Sequence, residues 1–115
     1  MSKAALSVFV FGIYLGLLSL VLLVQPNFLL NLFGLNPTEE VWIRVVGMLV
    51  LFLAVFDTQM ARMEYRPFFW LTVYTRLSVP VFFALFVLLD WVNPMLMLFG
   101  VVDLLGAVWT WWSLK

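Results

Sequence analysis

Residues 4–24 read AALSVFVFGIYLGLLSLVLLV, a run without a single charged side chain. At 1.5 Å per helical residue, about 20 such residues cross a hydrocarbon core of roughly 30 Å. A helix satisfies its own backbone polar groups, which bare lipid cannot do, so the run reads as a membrane-spanning helix. Three more stretches of the same kind follow, at 41–61, 67–89 and 94–114. Short links between them predict one membrane domain over 1–115, an all-α integral membrane four-helix bundle of up-down-up-down topology.

Composition agrees. Hydrophobic residues make up 66% of the 115 and charged residues 10%, against roughly 45–50% and about 25% in soluble domains. Disorder, a coiled coil and a collagen-like fibre are excluded. Six basic and six acidic side chains give no field to attract nucleic acid. With no cysteine and no histidine, disulfides, thiolate sites and the commonest transition-metal ligand are absent. No cofactor, metal site or catalytic residue is expected.

The breaks have a chemical logic. Gln25-Pro26-Asn27 ends the first span. Thr38 is an N-cap candidate for the second, with Glu39 and Glu40 at the positive end of the helix dipole. Pro67 suits a first turn, and Asn93 with Pro94 opens the last span. Residues 28–35 are apolar but too short to cross, and predict a short interfacial helix ended by Gly34.

Lys3, Arg62, Arg66 and Lys115 fall at one end of the spans, whereas Glu39, Glu40 and Asp90 fall at the other. The positive-inside rule places both termini in the cytoplasm, and the six tryptophans lie near the two predicted interfaces. The first span is too long, and lacks a small-residue cleavage site, for a cleavable signal peptide. The expected location is a bacterial inner membrane.

Polar groups inside the spans are the candidates for function, because an ionisable group at mid-bilayer costs about 2.5–3.5 kcal/mol on insertion scales. Arg76 and Asp103 sit near the middle of the third and fourth spans, and are predicted to form an ion pair in the bundle interior. Thr72 shares the Arg76 face, and Pro80 removes the donor for the Arg76 carbonyl. Gly100, Asp103, Ala107 and Thr110 form a small, polar stripe. Arg44 is read as snorkelling at the boundary or meeting Asp90. Asp57 is read as meeting Arg62, Arg66 or Tyr74. Gly12 and Gly16 offer a close-packing face within the chain or between chains, and Gly47 lies on the Arg44 stripe.

Arg44-Val45-Val46-Gly47, Arg76 and Asp103-Leu104-Leu105-Gly106-Ala107 give the chain a resemblance to small bacterial four-helix membrane proteins of the DoxX-like kind. The resemblance implies a four-helix bundle of the inner membrane. Founding members are associated with quinone-linked sulfur oxidation, and no motif here carries that activity over.

The functional expectation is a bundle that binds a small or lipid-like ligand between its helices. Its site residues are Arg76, Asp103, Tyr14, Thr72, Tyr74, Arg44 and Asp57, with Gly12, Gly16, Gly47, Gly100 and Pro80 in helix packing. An anionic head group or a quinone-like carbonyl suits Arg76. The expected partners are membrane lipid and such a small molecule, not nucleic acid. A structural or accessory subunit is the alternative, docking as a homo-oligomer or in a larger membrane complex. A small transporter using Asp103 and an enzyme using buried carboxylates rank behind these.

Overall fold

The computed structural model describes residues 1–35, 37 and 41–115. Its helices are α1 (Lys3–Val24), α2 (Pro26–Leu32), α3 (Trp42–Arg62), α4 (Arg66–Leu88) and α5 (Met97–Leu114), with a 3-10 turn at Pro94–Leu96 leading into α5. Four of these segments are long and apolar enough to cross a membrane, so the chain is a multi-pass, all-α bundle. Their limits fall within a residue or two of those read from hydropathy. The capping role proposed for Thr38, with Glu39 and Glu40, lies outside the described residues.

Local chemistry sets the ends. Ser2 caps α1, its hydroxyl accepting the Ala5 N–H at 3.1 Å, which satisfies one of the first-turn donors. Asn93 does the same for Met95 at 2.9 Å. The segment expected to lie at the interface forms α2, two residues earlier than read, and it closes with Gly34 at φ 70°. There the Leu35 N–H donates to the Leu30 carbonyl at 2.7 Å, the Schellman arrangement that favours glycine. The same backbone closure ends α3 and α4, but with Glu64 (φ 55°) and Asp90 (φ 60°) at the left-handed position.

Glu64 offsets that strain with a contact. Its carboxylate accepts the Ser2 N–H and the Ser2 hydroxyl, both at 2.7 Å, fastening the start of α1 to the α3–α4 turn. Arg66 donates to the Leu114 carbonyl at 3.3 Å, so both termini and this turn gather at one end. That end, with Lys3, Arg62, Arg66 and Lys115, is the basic end. The Ser2 backbone hydrogen bond, then the Ser2 hydroxyl, hold the Glu64 carboxyl below the usual carboxylate range. A depressed carboxyl contributes stability above its unfolded pKa and loses it as pH falls through the folded value. Acidification from about pH 7 to about pH 3 therefore loosens the first turn of α1. Amide exchange there, normalised to unstructured rates, should rise in the native chain and be pH-independent in Glu64→Ala.

α1 is the central helix. It packs along α3 on one side and α5 on the other, and α4 packs on α5. Gly12, Gly16 and Leu22 of α1 meet Thr58, Ala54 and Gly47 of α3 in antiparallel order. Ser7 and Phe11 of α1 meet Thr110 and Gly106 of α5. Pro80 and Phe83 of α4 lie on Gly100 of α5. The long helices thus alternate in direction, in the spatial order α3, α1, α5, α4. The described residues extend 40 × 30 × 18 Å. Residues of all four long helices share one apolar core. Sequence neighbours α3 and α4 make their main contacts with other helices, α3 with α1 and α4 with α5.

The small residues explain this order. Glycine, alanine and serine let backbones approach without a hydrophobic driving force between helices. Ala4, Ala5, Ser7, Val8, Gly12 and Ser19 make α1 buried along one side. The apolar core lies at the basic end, where Ala4, Ala5 and Val8 meet Ala61, Phe69, Val73 and Leu114. Large apolar side chains such as Leu17, Leu53, Val81 and Leu105 point outward, as a lipid-facing surface requires.

Candidate functional site

Arg76 is buried, with 6% of its surface exposed. A helical side chain leans toward the N-terminus of its own helix. On α4 that direction is the basic end, and the guanidinium follows it. Its Nε donates to the Thr72 carbonyl at 3.2 Å and its Nη2 to the Thr72 hydroxyl at 3.1 Å. Nη2 also reaches across to the Thr110 hydroxyl of α5 at 2.9 Å. Thr110 is in turn 2.8 Å from the Ser7 hydroxyl, which donates to the Ala4 carbonyl at 2.7 Å. One buried polar chain therefore ties α4, α5 and α1 together.

The guanidinium lies over the Phe11 ring, with Cζ 4.6 Å from its centroid. A desolvated contact of this kind contributes about 2 kcal/mol. Gly106 makes the approach possible. A Cβ there would stand 2.8 Å from the Phe11 ring and 3.1 Å from Arg76 Nη1.

The direct Arg76–Asp103 ion pair expected from depth alone does not form among the described residues. The reason is the same lean. Asp103 on antiparallel α5 tilts toward the opposite end while Arg76 tilts toward the basic end. Asp103 nevertheless acts on the Arg76 charge, and so does Asp57 of α3. Asp57 is buried with 6% exposure, beside Gly12. Its expected partners lie elsewhere: Arg62 is exposed, Arg66 caps α5, and exposed Tyr74 stacks on Trp70 at 6.5 Å. Tyr14 lies within electrostatic reach of Asp103 and against Phe11 at 5.5 Å between centroids.

The structure thus brings together Arg76, Thr72, Asp103, Asp57 and Tyr14, and leaves out Tyr74 and Arg44. Arg44 sits toward the opposite end, where Nη1 donates to the Leu23 carbonyl rather than meeting Asp90. This is cationic capping of the α1 C-terminus. Ser7, Phe11 and Gly106 were not singled out by sequence reasoning as site residues. Ser7 and Phe11 stand four apart on one face, with Gly106 three residues from Asp103 and four from Thr110, and that spacing was the available signal.

One atom of the cluster is unsatisfied. Arg76 Nη1 is buried with no hydrogen-bond acceptor. Around it the Asp57 and Asp103 carboxylates make no hydrogen bond among the described residues. The unsatisfied donor and the two carboxylates thus act on one another without a direct hydrogen bond. A separate groove of about 410 Å³, lined by Leu20, Val21, Val24, Gln25 and Phe28, carries no charged side chain.

Fold and cluster together define a multi-pass helical membrane protein with a charged centre buried between its helices. Comparison with protein-family models, with curated proteins and with solved structures gives no match to the chain.

Proposed function

We propose that this chain is a small protein of the bacterial inner membrane, both termini cytoplasmic, that binds the head of a small or lipid-like ligand at the Arg76 cluster. The gathering of Lys3, Arg62, Arg66 and Lys115 at the end that holds both termini supports the orientation under the positive-inside rule. Kinship with the DoxX-like group, carried by the Arg44, Arg76 and Asp103 motifs, fits the same setting. The observation that carries the binding reading is Arg76 Nη1, a buried guanidinium donor left without an acceptor beside two carboxylates. Ionisable groups of this kind inside a membrane mark binding or transport paths. The accessory-subunit alternative drew on the Gly12–Gly16 face, and that face is filled by α3 of the same chain.

Native mass spectrometry of the protein released from its own membrane tests the proposal. Wild type should retain an adduct of discrete mass. Arg76→Lys keeps the charge but cannot serve Thr72, Thr110 and a ligand at once, and should lower occupancy by about 10-fold. Arg44→Gln, at the other end, should leave occupancy unchanged. No adduct on wild type, or equal adducts on all three, would refute the reading.

A further inference from the structure

We propose that the basic end of the bundle is a docking surface for anionic phospholipid, with Arg66 and Lys115 as the pair that holds the phosphate. This surface is separate from the Arg76 cluster and stands whatever that cluster binds. Lys3, Arg62, Arg66 and Lys115, four of the six Lys and Arg residues, are exposed there. None of them forms an ion pair among the described residues. Glu64 is the carboxylate of that end, and both its oxygens are occupied by Ser2. The end therefore presents unpaired positive charge, and its complement is an anionic surface.

Two of these cations are held in place by the fold. Arg66 opens α4, and its Nη2 donates to the Leu114 carbonyl at 3.3 Å. That oxygen belongs to the peptide unit joining Leu114 to Lys115, so Arg66 stands beside the end of α5. The Lys115 ammonium is seated over the Trp111 ring, with Nζ 4.0 Å from its centroid. The other donors of the exposed Arg66 fork are free to meet phosphate oxygens, and Lys115 adds a second point charge. Cations already held by the fold lose less side-chain freedom on binding.

The surface next to this pair separates a lipid from a soluble phosphate. Tyr74, Leu77 and Val81 follow Arg66 along one face of α4 at helical spacing, and Leu104 and Val108 lie on the Trp111 face of α5. All of them are exposed. A phospholipid whose head sits at Arg66 and Lys115 lays its acyl chains along these apolar faces. A free phosphate gains nothing from them. Tyr74 and Trp111 also suit the head-group boundary, where amphipathic rings are favoured.

The test uses the full chain in nanodiscs of equal parts dioleoyl phosphatidylcholine and dioleoyl phosphatidylglycerol, released and weighed by native mass spectrometry. A cation near an anionic head strengthens its binding by about 5-fold. Wild type should therefore retain phosphatidylglycerol over phosphatidylcholine by at least about 5-fold. Arg66→Gln with Lys115→Gln should lower that ratio by at least about 5-fold, and Lys115→Gln alone by at least about 2-fold. Glutamine at position 66 keeps a donor for the Leu114 carbonyl, and helical content and melting temperature are checked in parallel. Should the double variant fail to fold, the Lys115→Gln result decides. Arg76→Lys and Arg44→Gln should leave the ratio unchanged, so failure of the Arg76 site and failure of this surface are read separately. Soluble glycerophosphoglycerol in large excess should not displace the retained lipid. The proposal is overturned by a wild-type ratio near one, by an unchanged ratio in a folded Lys115→Gln or double variant, or by an equal loss in Arg76→Lys. Displacement by the soluble head group overturns the lipid as occupant, and so does a dimer mass without enriched lipid, which would assign the surface to a second copy of the chain.

Discussion

Arg76→Met lowers the stability of the bundle by about 3–5 kcal/mol, while Asp103→Asn changes it by less than about 1 kcal/mol. The asymmetry comes from what each side chain touches. Methionine replaces the apolar stem of Arg76 but removes its three donors to Thr72 and Thr110 and its seat on Phe11. It also leaves Asp57 and Asp103 without the Arg76 charge that acts on both, and an uncompensated buried charge is the expensive result of breaking such a cluster. Asp103 makes no hydrogen bond among the described residues, and an amide of the same shape carries no charge to bury. A two-member ion-pair clamp would behave differently, because either single change would then strand a partner and the losses would match. Equilibrium unfolding in mixed micelles measures both. Adding Asp57→Asn and Asp103→Asn to Arg76→Met should recover most of the loss, because no charge then remains at the centre. Equal losses for the two single variants would sink this account of how the guanidinium is held.

The contrast also shows which parts of the molecule could be read from sequence. Helix positions depend on length and hydropathy, which are local, so the limits of α1, α3 and α4 were legible to within a residue, and those of the last span once the 3-10 turn at Pro94–Leu96 is counted with α5. Sequence position also reads Arg76 and Asp103 as standing at one level near mid-span. Side-chain direction was the missing step. Depth is a property of the Cα, whereas contact depends on a long side chain leaning toward its helix N-terminus, and on antiparallel helices that lean is opposite. Which helices pack on which was hidden too, since hydropathy is nearly uniform around α1. Only its small residues mark the buried side. Sequence alone pairs Asp57 with Arg62, Arg66 or Tyr74. α3 packs along α1, and from there the cation acting on Asp57 is Arg76 of α4.

Gly12→Ala should destabilise the fold by about 1–3 kcal/mol, whereas Gly16→Ala, one turn along the same helix, should stabilise it by up to about 1 kcal/mol. The sequence motif treats these glycines as equivalent, and the packing does not. A Cβ at position 16 stands 3.8 Å from the Ala54 Cβ, an ordinary contact, so the helical preference of alanine decides the sign. A Cβ at position 12 stands 2.8 Å from the Thr58 methyl, 3.1 Å from the Asp57 Cβ and 3.2 Å from the Thr58 nitrogen. The methyl cannot swing away freely, because the Thr58 hydroxyl is held by the Ala54 carbonyl at 2.9 Å and the Val55 carbonyl at 3.1 Å. Backbone lies just behind it, so α1 and α3 must separate. Thr58→Ser removes the methyl and keeps the hydroxyl, and should therefore recover part of the Gly12→Ala loss, the rest remaining with the Thr58 backbone. That coupling is measurable by a double-mutant cycle. The separation also carries Asp57 away from Arg76, so Gly12→Ala should weaken ligand retention along with stability, while Gly16→Ala leaves retention intact. A Gly12→Ala protein as stable as wild type would mean that α1 and α3 do not approach at this point, and the position assigned to Asp57 would fall with that contact.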